Sequence, residues 1–417
     1  MHVRLAKSST WLLLAHCWNF AAIAGFSILL ARHLGRSGFG EYAFIAAMVV
    51  IGNMLTTFGT DMHLIREIAS NERPAPLAAS LTLQIVLSVA IITALWLASP
   101  ILVFLSPIGK AALRIYSLSL FPLAFFTVLT IALRGEQKMG AYALLTVIHA
   151  SLLLLVACLV YWMNGDLLQL VWLLLFQESI TVISGAVLCN REIRYFRQRW
   201  RFSVAELVQL IRASAPLAFL SSLTIIYSRL TPILLLLVGG ALQTGLFSAG
   251  ARFVEAAKTG HFAILTAIYP MMAGQKEDED LLRTFRAPWI AMFALAGLAS
   301  LSLFLLADPL IRVLFGLDYS AATPVVRILA WILLPYTVNA FLSLVFLSSG
   351  EEATVIRAQI ASVSLLAILI IWWGGLYGSP GAAWAALQAE ILQAGILLVQ
   401  AGRRWRTVAS HPIWRYE

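Results

Sequence analysis

The chain has 417 residues, 61% of them hydrophobic and 12% charged, with a mean hydropathy of +0.87. Water-soluble domains carry roughly 25% charged residues and about half apolar ones, so a water-soluble fold is excluded and lipid is the expected solvent. The net charge of +9 is not read as a nucleic-acid footprint, because the basic residues lie in short segments between apolar runs, where membrane topology places them.

Those runs are continuous and about 20 residues long, which selects transmembrane helices over the ten-residue alternating strands of a barrel. The basic start (His2, Arg4, Lys7) leads into an apolar run from Thr10 to Ala31. That run is too long for a signal-peptide core and no small-residue cleavage site follows it, so it is expected as an uncleaved first span. Polar borders then mark spans at 42–63, 77–99, 111–133, 142–163, 167–189, 213–238, 245–272, 288–307, 322–348, 354–376 and 380–401. The expectation is an all-α integral membrane protein of about twelve helices, with no separate soluble domain. Cys17, Cys158 and Cys189 lie far apart inside apolar runs and read as small core residues, not a disulfide framework or a metal site.

Lys and Arg give the orientation. With the N-terminus in the cytoplasm, the cytoplasmic segments hold Arg4, Lys7, Arg66, Arg73, Arg134, Lys138, Arg191, Arg194, Arg197, Arg199, Arg201, Arg212, Lys276, Arg283, Arg286, Arg357, Arg403, Arg404, Arg406 and Arg415, 20 of the 29. The opposite side holds Arg32, Arg36, Lys110, Arg114, Arg312 and Arg327, and the other 3 lie within spans. Both termini are therefore expected in the cytoplasm. The richest loop, Asn190 to Phe202, with Tyr195 and Trp200 among its arginines, joins the halves and reads as a positive-inside anchor.

Leu34-Gly35 and Gly38-Phe39-Gly40-Glu41-Tyr42-Ala43 recur, after a shift of 205 residues, as Gly239-Gly240 and Gln243-Thr244-Gly245-Leu246-Phe247-Ser248. Glycine relieves the steric penalty of a tight reversal between spans, and the aromatic sits at the membrane interface. The shift is half the chain and six spans, an even number, so both halves enter the membrane in the same direction. This is the parallel-repeat design of transporters, with halves 1–205 and 206–417 and substrate expected at their interface.

The run Leu30-Ala31-Arg32-His33-Leu34-Gly35-Arg36-Ser37-Gly38-Phe39-Gly40-Glu41-Tyr42 resembles the opening signature of the Wzx-like polysaccharide flippases. Arg66-Glu67 after span two, Tyr269-Pro270 closing span eight, and Leu314 to Ala322 before span ten match further short motifs of that family. The resemblance implies the MOP transporter fold shared with MATE exporters and MurJ-type lipid II flippases: two six-helix lobes, alternating access and no ATP hydrolysis. The implied cargo is an undecaprenyl-diphosphate-linked oligosaccharide, flipped to the periplasmic leaflet of a bacterial inner membrane by a monomer. A glycan polymerase and a chain-length regulator are the implied protein partners, beside membrane lipids. Family members often carry an aspartate shortly after an arginine in span seven. Here Leu230-Thr231-Pro232 follows Arg229, so any coupling through that aspartate is met differently or not at all.

A charged side chain at mid-membrane costs about 2.5–3.5 kcal/mol on insertion scales, so such residues should face water or a partner. Arg252, Glu255 and Lys258 lie three apart in span eight, which sets the carboxylate between two cations and leaves a net positive patch suited to a diphosphate. Arg229, Arg252 and Lys258 are the candidate substrate-binding residues, with Glu255 as structural partner of the last two. Glu178 and Glu390 are lone carboxylates in apolar runs and candidate proton carriers. His16, Asn19, His149, Asn339, Gln359 and Gln388 read as interhelical hydrogen-bonding groups. Pro122, Pro216, Pro232 and Pro335 interrupt spans and mark kinks. The acidic run Glu277 to Asp280 reads as a solvated loop balanced by Lys276, Arg283 and Arg286.

No metal or cofactor is called for, and a coupling ion is left open between H+ and Na+. Two rivals are weighed. A MATE-like exporter of cationic drugs calls for an acidic cavity, against which the three intramembrane cations stand. A membrane glycan polymerase calls for a large extramembrane loop or clustered acidic ligands, neither of which occurs. There is no P-loop, and the spacing of Gly35, Gly38 and Gly40 is not that of a dinucleotide site. The chain is therefore expected to be a carrier and not an enzyme.

Overall fold

The computed structural model describes residues 2–70, 76–193, 203–273 and 278–409, with side chains left out at 2–13, 216–217, 220–221, 260–273, 278–287 and beyond Arg404. None of the described residues lies in a strand. The helices are α1 (His2–Thr57), α2 (Thr60–Ser70), α3 (Leu77–Ala98), α4 (Pro107–Ser117), α5 (Leu120–Gly135), α6 (Met139–Trp162) and α7 (Leu167–Glu192). Then come α8 (Val204–Ala273), α9 (Asp278–Leu314), α10 (Thr323–Ala330), α11 (Leu333–Ser348), α12 (Glu352–Leu369) and α13 (Gly375–Ala409). A short 3-10 turn, Leu317–Ala322, precedes α10, and a π-turn, Ile370–Gly374, joins α12 to α13.

Among the described residues, eight helical stretches are long and apolar enough to cross a membrane, or nine if Leu317–Ala330 and Leu333–Ser348, bent by 41°, form one broken span. Three of the eight are 44, 38 and 53 residues long, each room for two crossings of about 20 residues. Each is interrupted by one glycine with positive φ: Gly35 (φ 67, ψ 179), Gly240 (φ 78, ψ 175) and Gly378 (φ 64, ψ −137). The loops expected after the first and seventh spans are thus single-residue breaks. Nothing lies within 4 Å of where a Cβ would sit on Gly35 or Gly240. Backbone conformation alone, open to glycine and closed to other residues, accounts for glycine at both positions.

Helix ends follow local chemistry. Ser106 caps α4, its hydroxyl accepting from Gly109 N at 2.9 Å, with Pro107 in the first turn. Asp166 caps α7 in the same way through Gln169 N at 2.9 Å. Pro122 and Pro335 are each the third residue of the second helix of a broken span, where a missing N–H leaves no hydrogen bond unmade.

The chain divides into two compact units, Met1–Ile233 and Leu234–Glu417. In the first, α6 packs along α1, and α7 lies against α4, α5 and α6. Its core includes Leu64, Ile68, Leu133, Leu145 and Cys189, all below 5% exposed. A Cβ on Gly135 would lie 2.6 Å from Ile68, so glycine is required for α5 to approach α2. In the second, α13 packs against α10, α11 and α12, around Phe346, Ala358 and Leu397. Outward-facing apolar side chains such as Phe176 at 60% and Leu298 and Leu305 at 63% exposure are what lipid covers.

Polar contacts between helix ends sort the segments into two sets. His33 Nε2 donates to the Gly165 carbonyl at 2.7 Å, Glu41 accepts from Ser106, and Gln243 accepts from Ser379. All six residues, in five segments, belong to the side expected to face outward. Lys138 lies 4.0 Å from Glu192, and Arg404 lies 2.8 Å from Glu351. These four belong to the other side. Each contact joins ends on the same predicted side, as alternating spans require.

Candidate functional site

The charged residues of α8 meet partners that sequence spacing does not show. Arg252 Nη1 donates to Glu255 Oε2 at 2.8 Å, one turn along the helix. Lys258 does not share that carboxylate. Its Nζ donates instead to Glu390 Oε1 on α13 at 2.6 Å, and lies 4.6 Å above the ring centre of Tyr336 on α11. Glu390 is 3% exposed. Its second oxygen accepts from Asn339 Nδ2 at 2.7 Å, and the same amide donates to the Glu390 backbone carbonyl at 3.0 Å. Three helices are thus joined through one buried carboxylate that has both a cation and a neutral donor, as a buried acidic side chain requires.

Two expectations change as a result. Glu390 is not a lone carboxylate, and the α8 cluster is not a net positive patch. Arg252, Glu255, Lys258 and Glu390 form two ion pairs and are formally neutral together. The physical reason is that a span lysine about a turn from an arginine–glutamate pair satisfies itself across the bundle when a carboxylate lies within reach.

The third candidate cation, Arg229, is half-buried on α8 and belongs to the first unit, whereas Arg252 and Lys258 belong to the second. Glu178, also in the first unit, is 6% exposed on α7, with the His149 imidazole of α6 beside it, Nδ1 lying 3.8 Å from Oε2. Gln177 Nε2 stands 3.0 Å from the same imidazole nitrogen and donates to Thr181 Oγ1 at 3.3 Å. Phe126 of α5 stacks on the His149 ring, with centroids 5.4 Å apart.

Contacts at the ends expected to face outward complete the set. Glu41 Oε1 accepts from Ser106 N at 3.0 Å and Glu41 Oε2 from Ser106 Oγ at 2.7 Å. In the second unit Gln243 Oε1 accepts from both Ser379 N at 2.9 Å and Ser379 Oγ at 2.8 Å. A glycine clears space for each acceptor: a Cβ on Gly109 would lie 2.6 Å from Glu41 Oε2, and one on Gly378 2.5 Å from Gln243 Oε1.

Sequence reasoning gave Tyr336, Gln177, Glu41 and Gln243 no role. Tyr336 and Gln177 adjoin residues it singled out (Pro335 and Glu178), but only the fold shows what they touch. The basic run from Arg194 to Arg201 and the side chains of Tyr269, Pro270 and Glu277 to Asp280 lie outside the described residues. Among the described residues no group of three or more His, Cys, Asp or Glu is placed to hold a metal ion.

Comparison with solved structures defines the class. An inward-facing multidrug resistance MATE family transporter of the MOP superfamily superposes with a TM-score of 0.76 at 15% identity, covering 94% of this chain and 96% of that one. The lipid II flippase MurJ, in an inward closed conformation, gives 0.73 at 15% identity, covering 94% and 87%. A MOP superfamily transporter from Pyrococcus furiosus, described as having a binding pocket of reverse polarity, gives 0.65 at 14% identity, covering 97% and 96%. The fold is therefore the MATE/MurJ-like fold of the MOP superfamily in a multi-pass membrane protein. Within that class, the chain belongs to the polysaccharide biosynthesis protein family, which matches residues 5–275. No curated protein sequence matches it.

Proposed function

We propose that the chain is a flippase that moves undecaprenyl-diphosphate-linked oligosaccharide units from the cytoplasmic to the periplasmic leaflet by alternating access, with halves 1–205 and 206–417 as the moving parts. The observation that carries this reading is the family match over residues 5–275 on a fold shared with a lipid II flippase. The excess of Lys and Arg on one set of loops supports an inner-membrane orientation with both termini cytoplasmic. The proposed form is a monomer working beside a glycan polymerase and a chain-length regulator.

Arg252 is the strongest of the three proposed substrate-binding cations. Its partner Glu255 is 48% exposed and only one turn away. An ion pair of that kind is worth about 0–1 kcal/mol, so a diphosphate offering two charged oxygens can displace the carboxylate into water and bind the guanidinium fork. Lys258 is held by Glu390 and Tyr336 and gives up more to reach a ligand. Arg229 is also proposed as a substrate-binding residue.

The test is translocation of a labelled lipid-linked oligosaccharide in proteoliposomes, read as exposure of the glycan to an external glycosidase. Protein-dependent exposure is expected. Vesicles that keep the glycan protected while they transport organic cations would replace this reading with small-molecule export.

A further inference from the structure

Among the described residues two carboxylates are buried between helices, and their surroundings differ. Glu390 accepts from Lys258 and Asn339, so its charge is matched. Among the described residues Glu178 has neither kind of partner. Its Oε2 is buried without a hydrogen bond, and no Lys or Arg pairs with it among the described residues.

The imidazole beside it offers no counter-charge in this arrangement. Thr181 spends its one hydroxyl proton on the Gln177 backbone carbonyl at 2.9 Å, so towards the Gln177 side chain its oxygen accepts. That selects the amide nitrogen at this position, and an amide nitrogen only donates. The same nitrogen faces His149 Nδ1 at 3.0 Å, so Nδ1 is an acceptor and His149 is neutral, with its proton on Nε2. From the packed elements, the other titratable groups are Tyr116 of α4 and, beyond it, Tyr42 of α1. α5 contributes the uncharged Phe126. An ionised carboxylate here would be bare, and burying a bare charge costs far more than protonating it.

We infer that Glu178 is held as a carboxylic acid and is the group through which this protein binds and releases a proton, with His149 as its exchange partner. Within the site the proton passes from the Glu178 carboxyl to His149 Nδ1 when the Gln177 amide turns away, leaving a carboxylate–imidazolium pair of unchanged net charge. When the site opens to water the proton leaves altogether and a carboxylate remains. Coupling of that release to transport rests on the flippase reading. The acid itself does not.

The experiment is an infrared pH titration of the full-length protein in lipid nanodiscs. A protonated-carboxyl C=O band that shifts in D2O and bleaches as pH rises is expected in the wild type and in Glu390→Gln, and is expected to vanish in Glu178→Gln. His149→Phe should raise the bleaching midpoint by about one pH unit, a tenfold gain in proton affinity, because an apolar ring solvates the carboxylate less well than the imidazole does. Glu178→Gln, an isostere of the neutral acid, should melt like the wild type. No such band, a band that survives Glu178→Gln, or a folding collapse in that variant would each overturn the assignment. No cargo is used, so failed translocation would remove the flippase reading and leave the band standing, whereas a missing band with intact translocation would do the reverse.

Discussion

Lys258 on α8 and Glu390 on α13 meet at 2.6 Å although 132 positions separate them in the chain. The carboxylate is almost fully buried and the lysine side chain three-quarters so. Taking either partner away strands the other in a medium that does not solvate it, whereas taking both away does not. Lys258→Met and Glu390→Gln are each expected to destabilise the protein by about 3 kcal/mol, and the double variant by clearly less than their sum. Thermal melts of the purified proteins, read as a double-mutant cycle, check this. Additive losses would mean that the two residues act separately.

Arg252 stands in the opposite situation, since its acid is exposed and close along the same helix. Arg252→Ala is expected to lower translocation at least tenfold while the melting temperature stays near wild type. Wild-type flipping by this variant would remove Arg252 from the binding site.

Gly35 and Gly240 share a backbone conformation that side chains beyond glycine strain to adopt. Gly35→Ala and Gly240→Ala should each cost about 1–3 kcal/mol, with similar losses because neither new methyl group meets a neighbour. Melts indistinguishable from wild type would show that neither break needs its glycine.

The sorting of polar contacts into two sets predicts accessibility. In a background with Cys17, Cys158 and Cys189 replaced, Ser37→Cys should react with a membrane-impermeant thiol reagent applied to intact cells. Glu352→Cys should react only after permeabilisation. The reverse pattern would invert the topology.

Gln243→Leu removes an acceptor shared by an amide and a hydroxyl, a loss of about 1–3 kcal/mol for the donors left unpaired. Hydrogen exchange at the Ser379 amide should quicken, while exchange at the Ser106 amide, held by Glu41 in the other unit, should not change.

The membrane class and helical make-up were legible because apolar runs of one length admit few alternatives. The repeat was legible too: the shift that aligns Gly35 with Gly240 aligns two residues with φ of 67° and 78°. The site was less so. Helical spacing pairs Arg252 with Glu255 correctly, because that contact is local. The same rule pairs Lys258 with Glu255 and fails, because which helix faces α8 is a property of the packed bundle, and α13 lies more than a hundred residues on. Gln177 escapes sequence patterns for a related reason. Its effect on Glu178 runs through a third residue, His149, on another helix, and no spacing rule carries that relation.

The ties at the ends expected to face outward share a further property in both units. His33 reaches a carbonyl of Gly165, Glu41 an amide of Ser106, and Gln243 an amide of Ser379. Main-chain groups are common to almost every amino acid, so half of each tie persists whatever residue evolution installs at the receiving position. Architecture anchored this way tolerates drift at the anchored loops, and such tolerance is one route by which proteins with 15% of their residues in common keep a common shape.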